Sequence, residues 1–193
     1  MKNHYYILII AGLLSLVNFT CRAGLIENGS FETLVPGKNP TGNSDADGIS
    51  KWMRYGYENN ESSTLFARTG SRSFKAWYTG GIYQDFTGPV VPGDVYKASC
   101  YMFTPSGGLK GTFYGLIKLE WRDERGEILY SQTKESERFD GKAPADKWKY
   151  IYVQEAAPEA AKKGRITLEF RGEGQGSGII FFDDADVQEV KPQ

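Results

Sequence analysis

The chain has 193 residues and a net charge of −1, with 23 lysines and arginines against 24 aspartates and glutamates. That balance lacks the basic footprint of a nucleic-acid partner. Aromatic residues make up 14% of the chain and are interleaved with 23 glycines, a composition of short strands and turns rather than of helices.

In chain order, Lys2 precedes an apolar run over residues 5–17, and Cys21-Arg22-Ala23 follows with small residues before Gly24. This pattern reads as a secretory leader, residues 1–23, leaving a single exported domain over residues 24–193. The apolar run falls short of the roughly 20 residues that a membrane span needs, so no transmembrane segment is expected in the mature chain. A rival reading lipidates Cys21, against which Asn18-Phe19-Thr20 is a poor match to the usual Leu-small-small approach. The only histidine, His4, leaves with the leader. A mature chain without histidine builds no Ser-His-Asp or Cys-His centre and no His-ligated metal site. Cys100 then stands without a partner in an apolar run and reads as a small buried hydrophobe.

Leu25-Ile26 enters a short strand, and residues 36–48 are turn formers almost throughout, an exposed loop. Strands are expected over 52–57, 71–78, 82–86, 95–103 and 112–121. A hairpin turn at Asp123-Glu124-Arg125-Gly126 leads to a short strand over 128–131, and 134–147 is a charged insertion. The last strands are 148–154, 165–171 and 179–187, and residues 156–163 allow at most a turn or two of helix because Pro158 interrupts them. About nine short strands without βαβ alternation favour an all-β fold, an antiparallel β-sandwich of jelly-roll type.

The closing strand ends oddly. Phe181-Phe182 runs into Asp183, Asp184 and Asp186, and adjacent carboxylates repel unless something positive lies between them. Four segments in order, Asn28-Gly29-Ser30-Phe31-Glu32, Thr69-Gly70-Ser71-Arg72-Ser73-Phe74-Lys75, Pro92-Gly93-Asp94-Val95-Tyr96 and Phe182-Asp183-Asp184-Ala185, resemble the carbohydrate-binding modules of the family 4, 9 and 22 group. These are galactose-binding-like β-jelly rolls, and the resemblance spans residues 25–190. It implies a structural calcium where the first and last strands meet, held by Glu32 and by Asp183 or Asp184, with carbonyls near Gly70 and Ser73. A hard cation with six to eight oxygen ligands would cancel the repulsion. Strand parity separates Phe181, Asp183, Ala185 and Val187 from Phe182, Asp184 and Asp186; if the first set faces the core, Asp183 turns inward.

A sugar site needs flat rings for the C–H face of a pyranose and polar groups for its hydroxyls. The candidates are Trp52, Tyr57, Trp77, Tyr83, Gln84 and Trp121, with Tyr114 in reserve and Trp148 assigned to packing. Parity sets Tyr83 and Asp85 opposite Ile82, Gln84 and Phe86. The expected ligand is a poly- or oligosaccharide, and a partner chain, such as a glycan-degrading enzyme, would supply any chemistry. Two other readings stand beside this one: a structural or adhesive jelly roll with its rings buried, and a glycoside hydrolase using a pair drawn from acids such as Asp85, Glu120 and Glu169, whose spacing marks no pair.

Overall fold

The computed structural model describes residues 24–35, 48–56, 60–77, 79–172 and 177–191; the expected leader and Tyr57 lie outside them. Eleven strands are present among the described residues: β1 (Met53–Gly56), β2 (Glu61–Ser63), β3 (Ser73–Ala76), β4 (Gly80–Asp85), β5 (Val95–Phe103), β6 (Tyr114–Arg122), β7 (Lys134–Glu135), β8 (Phe139–Asp140), β9 (Lys149–Ala156), β10 (Lys163–Arg171) and β11 (Ile180–Val190). They form two antiparallel sheets. One runs β1-β4-β10-β6-β7 with β8 also on β6, and the other runs β2-β3-β11-β5-β9. The chain is therefore the antiparallel β-sandwich of jelly-roll type that its turn spacing foretells.

Alternation builds both layers. On β6 and β10, Ile117, Leu119, Trp121, Ile166, Leu168 and Phe170 point inward and are fully buried. The facing sheet contributes Phe74, Ala98, Cys100, Met102, Ile151 and Phe182 to the same core. Cys100 is buried and free, as its apolar run implies.

Four local expectations change. Leu25-Ile26 forms no strand, although Leu25 N–H reaches the Val187 carbonyl at 2.9 Å and its own carbonyl accepts from Thr87 at 2.9 Å, which ties the opening segment to β11 and to the residues after β4. Residues 128–131 make one bridge, Arg122 to Ile128, and a 3-10 turn at Tyr130–Gln132 in place of a strand. The 134–147 insertion pairs twice with β6, through β7 and β8. Residues 157–162 close in a turn at Pro158 with no helix.

β11 carries a bulge. Its register with β5 slips between Asp183 and Asp186, and Asp184 adopts a left-handed φ of 49°. The slip resets parity: Phe182 and Val187 pack into the core, whereas Phe181 and Asp183 sit on the outer side, opposite Phe103 and Tyr101. The set of Phe181, Asp183, Ala185 and Val187 therefore shares no single face, and Asp183 does not turn inward. It is fully buried, but beneath residues 66–69 rather than between the sheets.

Candidate functional site

The outer face of the six-stranded sheet is recessed. The same alternation that sends Ile117, Leu119 and Trp121 inward leaves Lys118, Glu120 and Arg122 outward, and the nine-residue register of β6 with β10 sets them beside Arg165, Thr167, Glu169 and Arg171. Tyr83 and Asp85 extend this face on β4, and Tyr55 does so on β1. Gly81 permits the closeness of β4 and β10, since a Cβ there would lie 2.1 Å from the Leu168 carbonyl oxygen. A cavity of about 300 Å³ lies among Tyr55, Tyr83, Lys118, Glu120, Ile128, Tyr130, Arg165 and Thr167.

The polar groups of this groove are largely out of solvent yet bonded. The Arg165 guanidinium lies 3.7 Å over the Tyr83 ring, and its Nε donates to Asp85 Oδ1 at 2.6 Å. Lys118 Nζ and Arg171 Nη2 are each 2.8 Å from Glu169 Oε2. Thr167 donates its hydroxyl to Glu120. Glu120, Arg165, Thr167 and Glu169 are all buried. Buried charges persist only when paired or hydrogen-bonded, so each such bond fixes a side chain in place. The rings of Tyr55 and Tyr83 lie 6.3 Å apart. Burial, then the neighbouring Glu169 and Glu120 carboxylates, hold the Tyr55 phenol above its ordinary range, so it remains an O–H donor at any working pH. Tyr130, at 77% the most exposed of the large hydrophobic side chains described, stands at the rim.

Of the side chains expected to bind sugar, Tyr83 is in this groove. Trp52 and Trp121 are not: both are fully buried, Trp52 against Phe31 with its Nε1 donating to the Asn28 carbonyl, and Trp121 edge-on to Phe86 and Tyr96. Their large apolar surfaces fill the sandwich, which overrides any role at the surface. Gln84 also faces inward. Its amide accepts from Glu27 N at 2.6 Å and donates to the Glu27 carbonyl at 2.9 Å, standing in for a strand partner. Trp77 is 43% exposed but follows β3 on the other sheet, beneath the Lys75 ammonium. Tyr114 is buried under Arg138, and Trp148 packs against Phe103 as expected. Missed were Arg165, Thr167, Lys118 and Tyr130. The signal for the first three was in the sequence, as polar residues at every second place in runs otherwise apolar.

A second constellation gathers the expected metal residues around one turn. Glu32 accepts from Ser71 N, Arg72 N and Ser71 Oγ at 2.8–2.9 Å. Slight burial raises its pKa, but the two N–H donors and the hydroxyl outweigh this and hold it below the ordinary value. Gly70, at a φ of 60°, leaves room for that carboxylate, because a Cβ would lie 2.4 Å from Oε1. At the other end of the turn Asp183 accepts from Arg68 N, Thr69 N and Asp184 N at 2.7, 3.3 and 2.7 Å. Burial pushes its carboxyl up to about 6 in spite of those donors. Asp184 takes the Arg68 guanidinium at 2.6 Å and the Thr69 hydroxyl at 2.5 Å. The Ser73 hydroxyl is bonded to the Phe66 carbonyl. Ala185 N–H reaches the Gly29 carbonyl at 2.8 Å, so the opening segment meets the last strand here.

This donor set suits a hard cation. It is made of carboxylate oxygens, and one of them is a buried anion whose charged form is disfavoured. Among the described residues no three acid, histidine or cysteine side chains form a group able to hold a metal ion.

No protein-family model and no curated protein matches the chain. Several solved structures share its fold. The xylan-binding CBM22-1 domain of Paenibacillus barcinonensis Xyn10C superposes with a TM-score of 0.54 at 16% identity, over 81% of this chain and 94% of that one. The carbohydrate-binding module TmCBM61, solved with β-1,4-galactotriose, gives 0.51 at 17%, over 86% and 99%. A Stig cyclase from Fischerella sp. TAU gives 0.60 at 12%, over 90% and 100%. The chain also matches the enzymatically active domain of a bacteriophage CBA120 tailspike, of which it spans only 22%. At these identities the likeness is one of fold.

Proposed function

We propose that the chain is an exported, non-catalytic carbohydrate-binding module that takes a stretch of poly- or oligosaccharide in the groove of its six-stranded sheet. The observation that carries this reading is the pairing of Tyr55 and Tyr83 with a buried, bonded set of donors and acceptors on adjacent strands. Tyrosine faces suit the C–H side of a pyranose, and Arg165, Lys118, Thr167 and Glu120 suit its hydroxyls. Their bonds to one another position them before the ligand arrives, which lowers the cost of binding. Modules named as xylan-binding, or solved with galactotriose, share the fold and support a glycan as the ligand class. Export rests on the leader-like pattern of residues 1–23, and a partner chain would supply any chemistry on the glycan.

The groove's acids do not favour hydrolysis. Glu120 accepts from the Thr167 hydroxyl and Glu169 pairs with Lys118 and Arg171, so both carboxylates are already engaged within the groove. Asp85 is level with Glu120, but Arg165 stands between them and binds Asp85.

A structural calcium belongs to the same proposal. Glu32 and Asp183 would hold it, and it would supply a positive centre joining the opening segment to β11. The experiment is affinity electrophoresis of the mature chain through soluble β-glucan, xylan, mannan and galactan, with calcium and with a chelator. Retardation by one polymer is the expected result. Retardation by none would favour the adhesive or structural jelly roll.

A further inference from the structure

Two consecutive carboxylates on a strand normally point to opposite faces. The bulge after Asp183 and the left-handed backbone at Asp184 instead bring both to bear on the same two residues, Arg68 and Thr69. Asp183 is wholly buried there, and an ionised carboxylate out of water needs a positive partner. One residue meets all of this arrangement. The backbone N–H of Arg68 donates to Asp183 Oδ2, its Nη1 donates to Asp184 Oδ2, and its guanidinium carbon lies 3.5 Å over the ring of Tyr101, the register partner of Asp183 on β5. Two residues before it, Phe66 packs on Phe103 and Phe181 at 4.7 and 5.0 Å, which anchors the segment on the same face.

We infer that Arg68 is the resident cation of this clasp: a guanidinium, fixed by the Tyr101 ring and the Asp184 carboxylate, that balances the Asp183–Asp184 pair whether or not a metal ion is bound. Calcium, on the reading proposed above, adds to a clasp that Arg68 already holds closed. The planar, delocalised guanidinium suits this place because it can stack on a ring and bond a carboxylate at its edge at the same time.

The test is thermal unfolding of the full mature chain, wild type against Arg68→Met and Arg68→Lys, each in calcium and in chelator. Wild type is expected to stay folded in chelator. Arg68→Met should melt about 5 °C lower there, Arg68→Lys should recover at least half of that loss, and the gap between calcium and chelator should be wider in Arg68→Met than in wild type. Arg68→Met melting with wild type in chelator would overturn the inference, as would Arg68→Lys losing as much as Arg68→Met, since the charge would then be irrelevant. If Arg68→Met does not fold in either condition, Arg68→Lys decides: folded protein supports the resident cation and unfolded protein contradicts it. A wild-type melt indifferent to calcium removes the calcium reading alone, because the chelator arm still decides the role of Arg68.

Discussion

The two outer faces of the sandwich both carry tyrosines and cations, yet they are built differently. On the six-stranded sheet the charges are sunk between strands, and Tyr55 and Tyr83 border a cavity of about 300 Å³. On the five-stranded sheet the tyrosines are more open, Tyr150 at 40% and Tyr152 at 53%, but Lys97 lies over both rings at 5.2 and 4.7 Å and Arg68 covers Tyr101. Cations lie over rings on both faces, Arg165 over Tyr83 at 3.7 Å in the groove, so a covering cation does not tell the two faces apart. Exposure alone is thus a poor guide to binding; what matters is a recess with polar groups already oriented. On the reading proposed above, ligand recognition belongs to the first face and the closing of the fold, through Glu32, Arg68 and Asp183, to the second.

Substitutions can break that division. The largest effect should come from beneath the groove, where Trp121→Ala is expected to cost about 3–5 kcal/mol of stability in denaturant unfolding. A variant that kept its stability and lost only binding would move Trp121 from core to site. Next is the pH dependence of the second face. Asp183 is pushed up to about 6 in the fold from an ordinary value of 3.8. The folded form therefore holds its proton more tightly, so its stabilising contribution is complete below about pH 4 and is lost as pH rises through 4 to 6, on the order of 2–3 kcal/mol without a bound metal ion. Melting across that range in chelator should show this slope in wild type and not in Asp183→Asn; identical slopes would remove the assignment.

Binding effects are smaller in energy and more specific. Tyr83→Ala and Arg165→Ala should each weaken polymer binding by roughly 10–100-fold, about 1.5–3 kcal/mol, with smaller changes in melting. Tyr152→Ala on the five-stranded sheet should change it less than twofold. Glu32→Ala should lower the melting temperature by a few degrees and reduce any protection by calcium, leaving glycan affinity in calcium near that of wild type.

Much of the sandwich was legible because alternation and turn residues are local signals. The strand over residues 95–103 is bounded as its β-branched and aromatic run implies, the one expected over 165–171 begins two residues earlier at Lys163, and Tyr83 with Asp85 was correctly set against Phe86. What local pattern cannot say is which of two faces is the core. Trp52 and Trp121 have the chemistry of sugar platforms, but the interior between two sheets takes the largest rings first. Gln84 was placed outside as a polar residue, although its inward parity with Phe86 was in view; an amide that mimics a strand partner for Glu27 satisfies itself inside. The bulge at Asp183 could not be foreseen by counting in twos, and it decides which carboxylates meet Arg68.

The central claim is that the groove of the six-stranded sheet, and not the outer face of the five-stranded sheet, recognises a glycan. Affinity electrophoresis of wild type, Tyr83→Ala and Tyr152→Ala on the same set of soluble polysaccharides addresses it most directly. The account predicts that at least one polymer retards wild type and Tyr152→Ala alike and that Tyr83→Ala runs free. Retardation that survives Tyr83→Ala and is lost in Tyr152→Ala would contradict it.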